Sequence, residues 1–245
     1  MQLVLASNNA KKLTELGALF APLGIDLLAQ NRLGISEADE PHFTFVENAL
    51  AKARHAAAAS GLAAMADDSG LCVPALGGAP GVISAHYADI GTLRDQAAND
   101  ASAAASMPSG EATAAATASP PGLSPRETLR ARQDAANNRR LLAELAALPP
   151  GTPRDARFLC ALVAVRSADD PEPLIAMGRW PGMILEDLQG EGGFGYDPLM
   201  YIPALGATVA EMPAELKNQH SHRARAGVQM LALMREAWRD VLEVG

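Results

Sequence analysis

Three short apolar runs, at 2–6, 25–29 and 63–67, are separated by stretches whose large apolar residues recur every three or four positions. Short β-prone runs predict strands, and the 3.6-residue repeat between them predicts helices. In the first interval Leu13, Leu16, Leu19, Phe20 and Leu23 carry the repeat and Gly24 ends it. The second interval opens on Thr44-Phe45-Val46-Glu47, a capping box that satisfies free N–H groups at a helix start, and stops at Gly61. Alternation of this kind marks an α/β fold. Downstream, Leu129, Leu141, Leu142, Leu145 and Leu148 predict a helix over 125–148. The nearly continuous apolar run 157–165 predicts a strand buried on both faces, 173–180 a further strand, and 221–243 a closing helix.

From about 91 to 124 the pattern lapses into Ala, Ser, Thr, Pro and Gly with almost no large apolar residue, the composition of an inserted surface segment that adds little to a core. The length, 245 residues, suits one large domain, so 1–245 is expected to fold as a unit carrying this insertion. No apolar run approaches the ~20 residues that cross a bilayer, which excludes a membrane span. The apolar start has no basic region before it, unlike a signal peptide, so a cytoplasmic protein is expected. Cys72 and Cys160, far apart within apolar runs, read as buried free thiols. A net charge of −8 argues against nucleic acid as a partner, because counterion-release binding needs clustered Lys and Arg. It leaves room for a small anionic substrate, since a few cations focused in a cleft act locally.

Four places carry candidate chemistry. Ser7-Asn8-Asn9-Ala10-Lys11-Lys12 lies where a strand passes into a helix, so small polar groups, free helix N–H groups and two lysines converge in a phosphate cradle. The same residues also suit an ordinary Asn cap followed by solvated lysines. Asp67-Asp68-Ser69-Gly70 follows the third strand, at the edge where open α/β sheets hold ligands. Adjacent carboxylates there need a compensating cation or a shared proton, and Mg²⁺ suits one or two carboxylates completed by substrate phosphates. A turn with Gly70 at positive φ is the alternative. Upstream, Glu37, Asp39, Glu40 and Glu47 offer further carboxylates, mostly solvated, and Asn48 shares a helix face with Lys52.

The run 190–195 matches G-x-G-x-x-G but lacks the strand–turn–helix setting of a dinucleotide fingerprint. It reads instead as a loop presenting Phe194 beside Tyr196 and Asp197, either to stack on a planar ring or to anchor in the core. Finally, Lys217, His220, His222 and Arg223 gather at the start of the last helix, with Ser221 as its cap. Cations there oppose the helix dipole and point to an anionic or acceptor-rich partner. His220 and His222 lack a third ligand for a metal.

In chain order, Ser7-x-Asn9-x-x-Lys12, Thr44-Phe45-x-Glu47-Asn48-Ala49 with Lys52, Asp67-Asp68-Ser69-Gly70-Leu71, Gly77-Gly78-Ala79-Pro80-Gly81-Val82-x-Ser84-Ala85, Gly193-Phe194-Gly195-Tyr196-Asp197-Pro198, and Lys217 with Ser221-His222-Arg223 form one set. This set resembles the noncanonical purine nucleoside triphosphate pyrophosphatase family, the inosine triphosphatase-like or dITP/XTP pyrophosphatases. The resemblance covers about 2–88 and 134–236 and leaves the Ala-rich segment outside. It implies an elongated, two-lobed mixed-sheet α/β fold with a substrate cleft between the lobes, usually as a homodimer. It also implies Mg²⁺-dependent hydrolysis of dITP, ITP or XTP to the monophosphate and pyrophosphate.

Carried over by motif, Asp68 is the general base or metal-bound carboxylate that activates water, with Glu40 the foremost second metal ligand ahead of Glu47 and Asp67. Ser7, Asn9, Lys12, Lys52 and Ser69 hold the phosphates, with Asn8, Ala10 and Lys11 beside them. Phe194 stacks on the base, and Gly195, Tyr196, Asp197, Lys217, His222 and Arg223 complete the substrate site. Donors such as Arg223 match the 6-oxo acceptor and leave adenine mispaired. The chain departs from the family at His86, where Arg is common, and at Tyr87-Ala88-Asp89, where a Gly is usual, which unsettles any phosphate or dimer contact there. Two other readings are a hydrolase of modified pyrimidine triphosphates and a nucleotide sensor without turnover. The carboxylate pair disfavours the sensor, since a pure binder has no need of it beside phosphates.

Overall fold

The computed structural model describes residues 1–89 and 125–239. The expected insertion at 91–124 lies outside them, apart from its effect on chain length. The first half follows the alternation read from the sequence: β1 (Gln2–Leu5), α1 (Ala10–Phe20), β2 (Asp26–Ala29), α2 (Phe45–Ser60) and β3 (Ala64–Cys72). From 125 on come α3 (Pro125–Ala146), β4 (Asp155–Val165), β5 (Leu174–Ile184), the short β6 (Met200–Ile202) and β7 (Ala207–Thr208), α4 (Ala214–His220) and α5 (His222–Ala237). Three expectations are corrected. β3 runs on to Cys72, so Asp67-Asp68-Ser69-Gly70 sits inside the strand instead of after it. β5 extends to Ile184, and Lys217 belongs to a separate helix, α4, ahead of the last one.

The strands form one mixed sheet in the order β2-β1-β3-β4-β5-β6-β7. β1 runs parallel to β2 and β3, and every later pairing is antiparallel. β1 stays beside β3 only at Val4↔Ala64 and Leu5↔Met65, so from Ala66 onward β3 is laddered to β4 alone and its other edge opens. That opening locates the site.

Helices α1 and α5 cover one face, burying Leu3, Leu16, Phe20, Leu162, Met230 and Trp238. α2 lies on the other face, where Ala53, Ala56 and Ala57 let it approach Val4 and Val165 closely. A further core, at the far end of the long strands, gathers Leu71, Leu141, Phe158, Trp180, Ile184 and Leu199. β3, β4 and β5 pass from one core into the other. This is why β4 reads as apolar throughout: after Arg157 every one of its residues is buried. α5 rides directly on β5, since a Cβ at Gly178 would stand 1.8 Å from the carbonyl oxygen of His222. Cys72 and Cys160 are buried and free, and no helix among the described residues is long and apolar enough to cross a membrane.

Thr44 caps α2 as expected: its Oγ1 accepts from Glu47 N at 3.2 Å, while Glu47 Oε2 accepts from the Thr44 hydroxyl at 2.6 Å, and Gly61 closes α2 at φ 68. Because α2 carries Asn48 and Lys52 to the site, its start matters beyond stability. Thr44→Ala is expected to lower the unfolding free energy by about 1 kcal/mol, read as a shifted urea midpoint with unchanged m-value. An unchanged midpoint would mean that the hydroxyl caps nothing.

Candidate active site

Successive residues of a strand project to opposite faces, and this separates the two adjacent carboxylates. Asp67, only 1% exposed, faces α1. Lys12 Nζ stands 2.9 Å from its Oδ1 and 2.8 Å from its Oδ2, Ser69 Oγ donates to Oδ2 at 2.8 Å, and Arg223 Nε lies 3.6 Å away. Asp68 faces α2, accepting from Asn48 Nδ2 at 3.3 Å, Lys52 Nζ at 3.4 Å and Ser69 N at 3.1 Å. Each carboxylate therefore has a cation of its own, and the shared proton or ion that adjacency suggested is not required. The expected turn is absent as well: Gly70 lies in extended strand, and the lack of a side chain there is used for close approach. A Cβ would meet Ser84 Oγ at 2.4 Å and Gly81 O at 2.5 Å.

The electrostatics of the pair diverge. Burial pushes Asp67 up, but Lys12, Arg223 and Lys52 outweigh it and hold the carboxyl well below its usual range. Burial pushes Asp68 up to about 6, with Lys52 opposing and Glu40 adding to the rise. Lys52, also 3.1 Å from Glu40 Oε1, is raised despite its burial because Asp68, Asp67 and Glu40 surround it.

A cavity of about 780 Å³ opens along the uncovered edge of β3. Ser7, Asn8, Asn9, Lys12, Glu37, Glu40, Lys52 and Asp67 line it, as do Ala85, Arg130, Asp134, Gly193 and Phe194. Asp68 reaches it through Lys52. Both readings of the first loop find support: Asn9 Oδ1 accepts from Lys12 N at 3.4 Å as a helix cap would, and Asn9 also borders the cavity. Asn8 Nδ2 donates to Glu37 Oε1 at 2.7 Å. The side chains of Ala10 and Lys11 lie outside the described residues. His86 is exposed on the 3₁₀ turn Gly81–His86.

The expected ring-framing residues divide. Phe194 is half-buried and lines the cavity, with Lys217 Nζ 4.5 Å and Arg130 Cζ 5.7 Å from its ring centroid. Tyr196 turns into the core instead, where its hydroxyl donates to Ser84 O at 2.9 Å. Asp197 is buried, accepting from Lys217 Nζ at 2.5 Å and Phe194 N at 2.9 Å, and burial raises its carboxyl against the pull of Lys217. His222 stacks on Phe158 at 5.1 Å between centroids, and burial, Arg223 and Lys217 hold its ring well below the usual histidine range. Arg223, 4% exposed, pairs with Glu15 at 2.7 Å and borders a separate cavity of about 330 Å³ beside α1. Tyr196, Asp197, His222 and Arg223 thus stand behind or beside the main cavity wall. Arg130 and Asp134, one turn apart on α3, were not read from the sequence. α3 was predicted, but nothing in its pattern says which polar face meets a cleft.

The Ham1 family model matches residues 3–121 and 118–233. The dITP/XTP pyrophosphatase of Leptothrix cholodnii is 63% identical over 238 residues, 97% of this chain and 99% of that protein. That of Methylibium petroleiphilum is 57% identical with the same coverage of both. Among solved structures, a HAM1 protein from Coxiella burnetii superposes with a TM-score of 0.75 at 35% identity, covering 97% of this chain and all of the other.

Proposed function

Since the chain belongs to the Ham1 family, we propose that it hydrolyses nucleoside triphosphates of 6-oxo purines (dITP, ITP and XTP) to the nucleoside monophosphate and pyrophosphate. The supporting observation is that one cavity is lined by Lys12, Lys52 and Phe194, ammonium groups for a polyphosphate and an aromatic face for a base. The unit is the whole span 1–245, since residues from both halves line that cavity.

Phosphoanhydride hydrolysis is accelerated mainly by positioning and by positive charge placed where negative charge develops. Lys12 and Lys52 supply that charge, and Ser7, Asn9 and Ser69 orient the phosphate oxygens. Asp68 takes the proton from water as its oxygen adds to the α-phosphorus, while the bond to the bridging oxygen breaks and pyrophosphate departs with the electron pair. Mg²⁺ fits the donor set. Asp68 and Glu40 approach the same nitrogen, Lys52 Nζ, at 3.4 and 3.1 Å, so two hard oxygen donors of the kind Mg²⁺ takes lie close together and would hold the ion. When bound, the ion neutralises charge on the phosphates. Glu47 is engaged with Thr44 and Asp67 with Lys12, which supports Asp68 and Glu40 as the residues that would hold it.

For the base, Lys217 is the donor beside Phe194; it suits a 6-oxo acceptor and repels the amino donor of adenine. Arg223 acts from behind, 3.6 Å from Asp67, and Asp197 holds Lys217. The reading carries a homodimer and a cytoplasmic setting with it; Phe43, 95% exposed, is the kind of apolar residue a second copy covers. A coupled assay across nucleotides tests the reaction. Pyrophosphate release from dITP or XTP with Mg²⁺ should exceed that from ATP by at least about 10²-fold in kcat/KM and should stop with chelator. Orthophosphate as first product, or equal rates on ATP, defeats the proposal.

A further inference from the structure

We propose that Asp134 and Asn138 are positioning residues for Phe194, fixing its ring by gripping the backbone of Gly195. The proposal rests on the reading of Phe194 as the surface that receives the base. Asp134 Oδ2 accepts from Gly195 N at 2.9 Å, and Asn138 Nδ2 donates to Gly195 O at 3.0 Å. Residues four apart share a helix face, so both polar ends of this glycine are tied to α3.

The loop needs such a tie. Gly193 and Gly195, at φ 77 and 62, flank the aromatic with the two most permissive backbones available, and ordering them is entropically expensive. The ring itself is only half-buried. Asp197 adds one bond, to Phe194 N, from within the loop, and Tyr196 anchors the following residue in the core, while the two bonds from α3 hold Gly195 itself against a long helix packed there. Asn138 is buried, and among the described residues its amide bonds through Nδ2 to Gly195 O while Oδ1 has no partner. Asp134 also borders the cavity, which makes direct contact with substrate the rival account of that residue.

A double-mutant cycle separates them. KM and kcat for dITP are measured for Asp134→Ala, Asp134→Asn and Asn138→Ala, each alone and combined with Phe194→Ala, with a melting temperature for every variant. In the single variants KM should rise about 3- to 10-fold with kcat within about twofold, and with Phe194 already removed the same changes should shift KM less than about twofold. Asp134→Asn should recover most of what Asp134→Ala loses, because an amide oxygen accepts the same bond. Equal KM shifts with and without Phe194 overturn the proposal, as does an Asp134→Asn variant no better than Asp134→Ala; the partly exposed Asp134 keeps the test decisive if Asn138→Ala fails to fold. The cycle is also read as Kd for dITP by calorimetry, without turnover. A wild type that binds dITP but releases no pyrophosphate then refutes the enzymatic reading while the positioning claim is still decided.

Discussion

Asp68→Asn is expected to lower kcat for dITP by about 10²- to 10⁴-fold, the range removed with a general base, while the melting temperature stays within about 3 °C of wild type. Asp68 stands 3.4 Å from Lys52 Nζ, and burial together with Glu40 raises its carboxyl, which suits a group that must accept a proton. An amide of the same size still accepts from Ser69 N and leaves Lys52 paired with Glu40, so little structural reason for unfolding remains. Pyrophosphate release and scanning calorimetry on the same preparation read both halves. A kcat within threefold of wild type would remove Asp68 from its role, whatever the fold does.

Lys12→Met should act in the opposite way, through stability as well as activity. Asp67 is sealed from solvent, and Lys12 contacts both of its oxygens; only Ser69 and the more distant Arg223 remain if the ammonium goes. Removing one partner of a buried pair leaves an uncompensated charge, so a loss of about 2–4 kcal/mol is expected. Adding Asp67→Asn should restore most of that stability, since the stranded charge disappears, yet activity should stay low because the phosphates have lost a cation. Chemical denaturation of the two single variants and the double variant measures this. A Lys12→Met variant as stable as wild type would show that Asp67 is held by other groups and would reopen it as a metal ligand.

Much of the frame was legible because it is written in local signals. The capping box at Thr44, the helical stop at Gly61 and the apolar run of β4 each depend on neighbours in sequence and reappear where they were predicted. β3 was cut short because a reading by apolar runs stops at the first Asp, whereas the strand continues by giving each carboxylate a lysine from a different helix. That pairing joins residues 55 and 16 positions apart, which no spacing rule anticipates. Helix α4 buries no residue and so carries no apolar period to find. The motifs brought Lys12, Lys52, Asp67 and Phe194 to notice, and all four border one cavity. Tyr196 and His222 share those motifs but face the core, because a motif records that residues occur together without recording which way each side chain turns.

β3, β4 and β5 run unbroken from the core under α1 and α5 to the one beside α3, and the carboxylates sit midway along β3. The same hydrogen-bonded ladders belong to both ends, so the unfolding of one is expected to be coupled to the other. Cooperativity of the whole sheet is therefore concentrated where chemistry is proposed to occur, and a packing defect at either extremity, even one remote from any nucleotide, loosens the middle of the molecule as well.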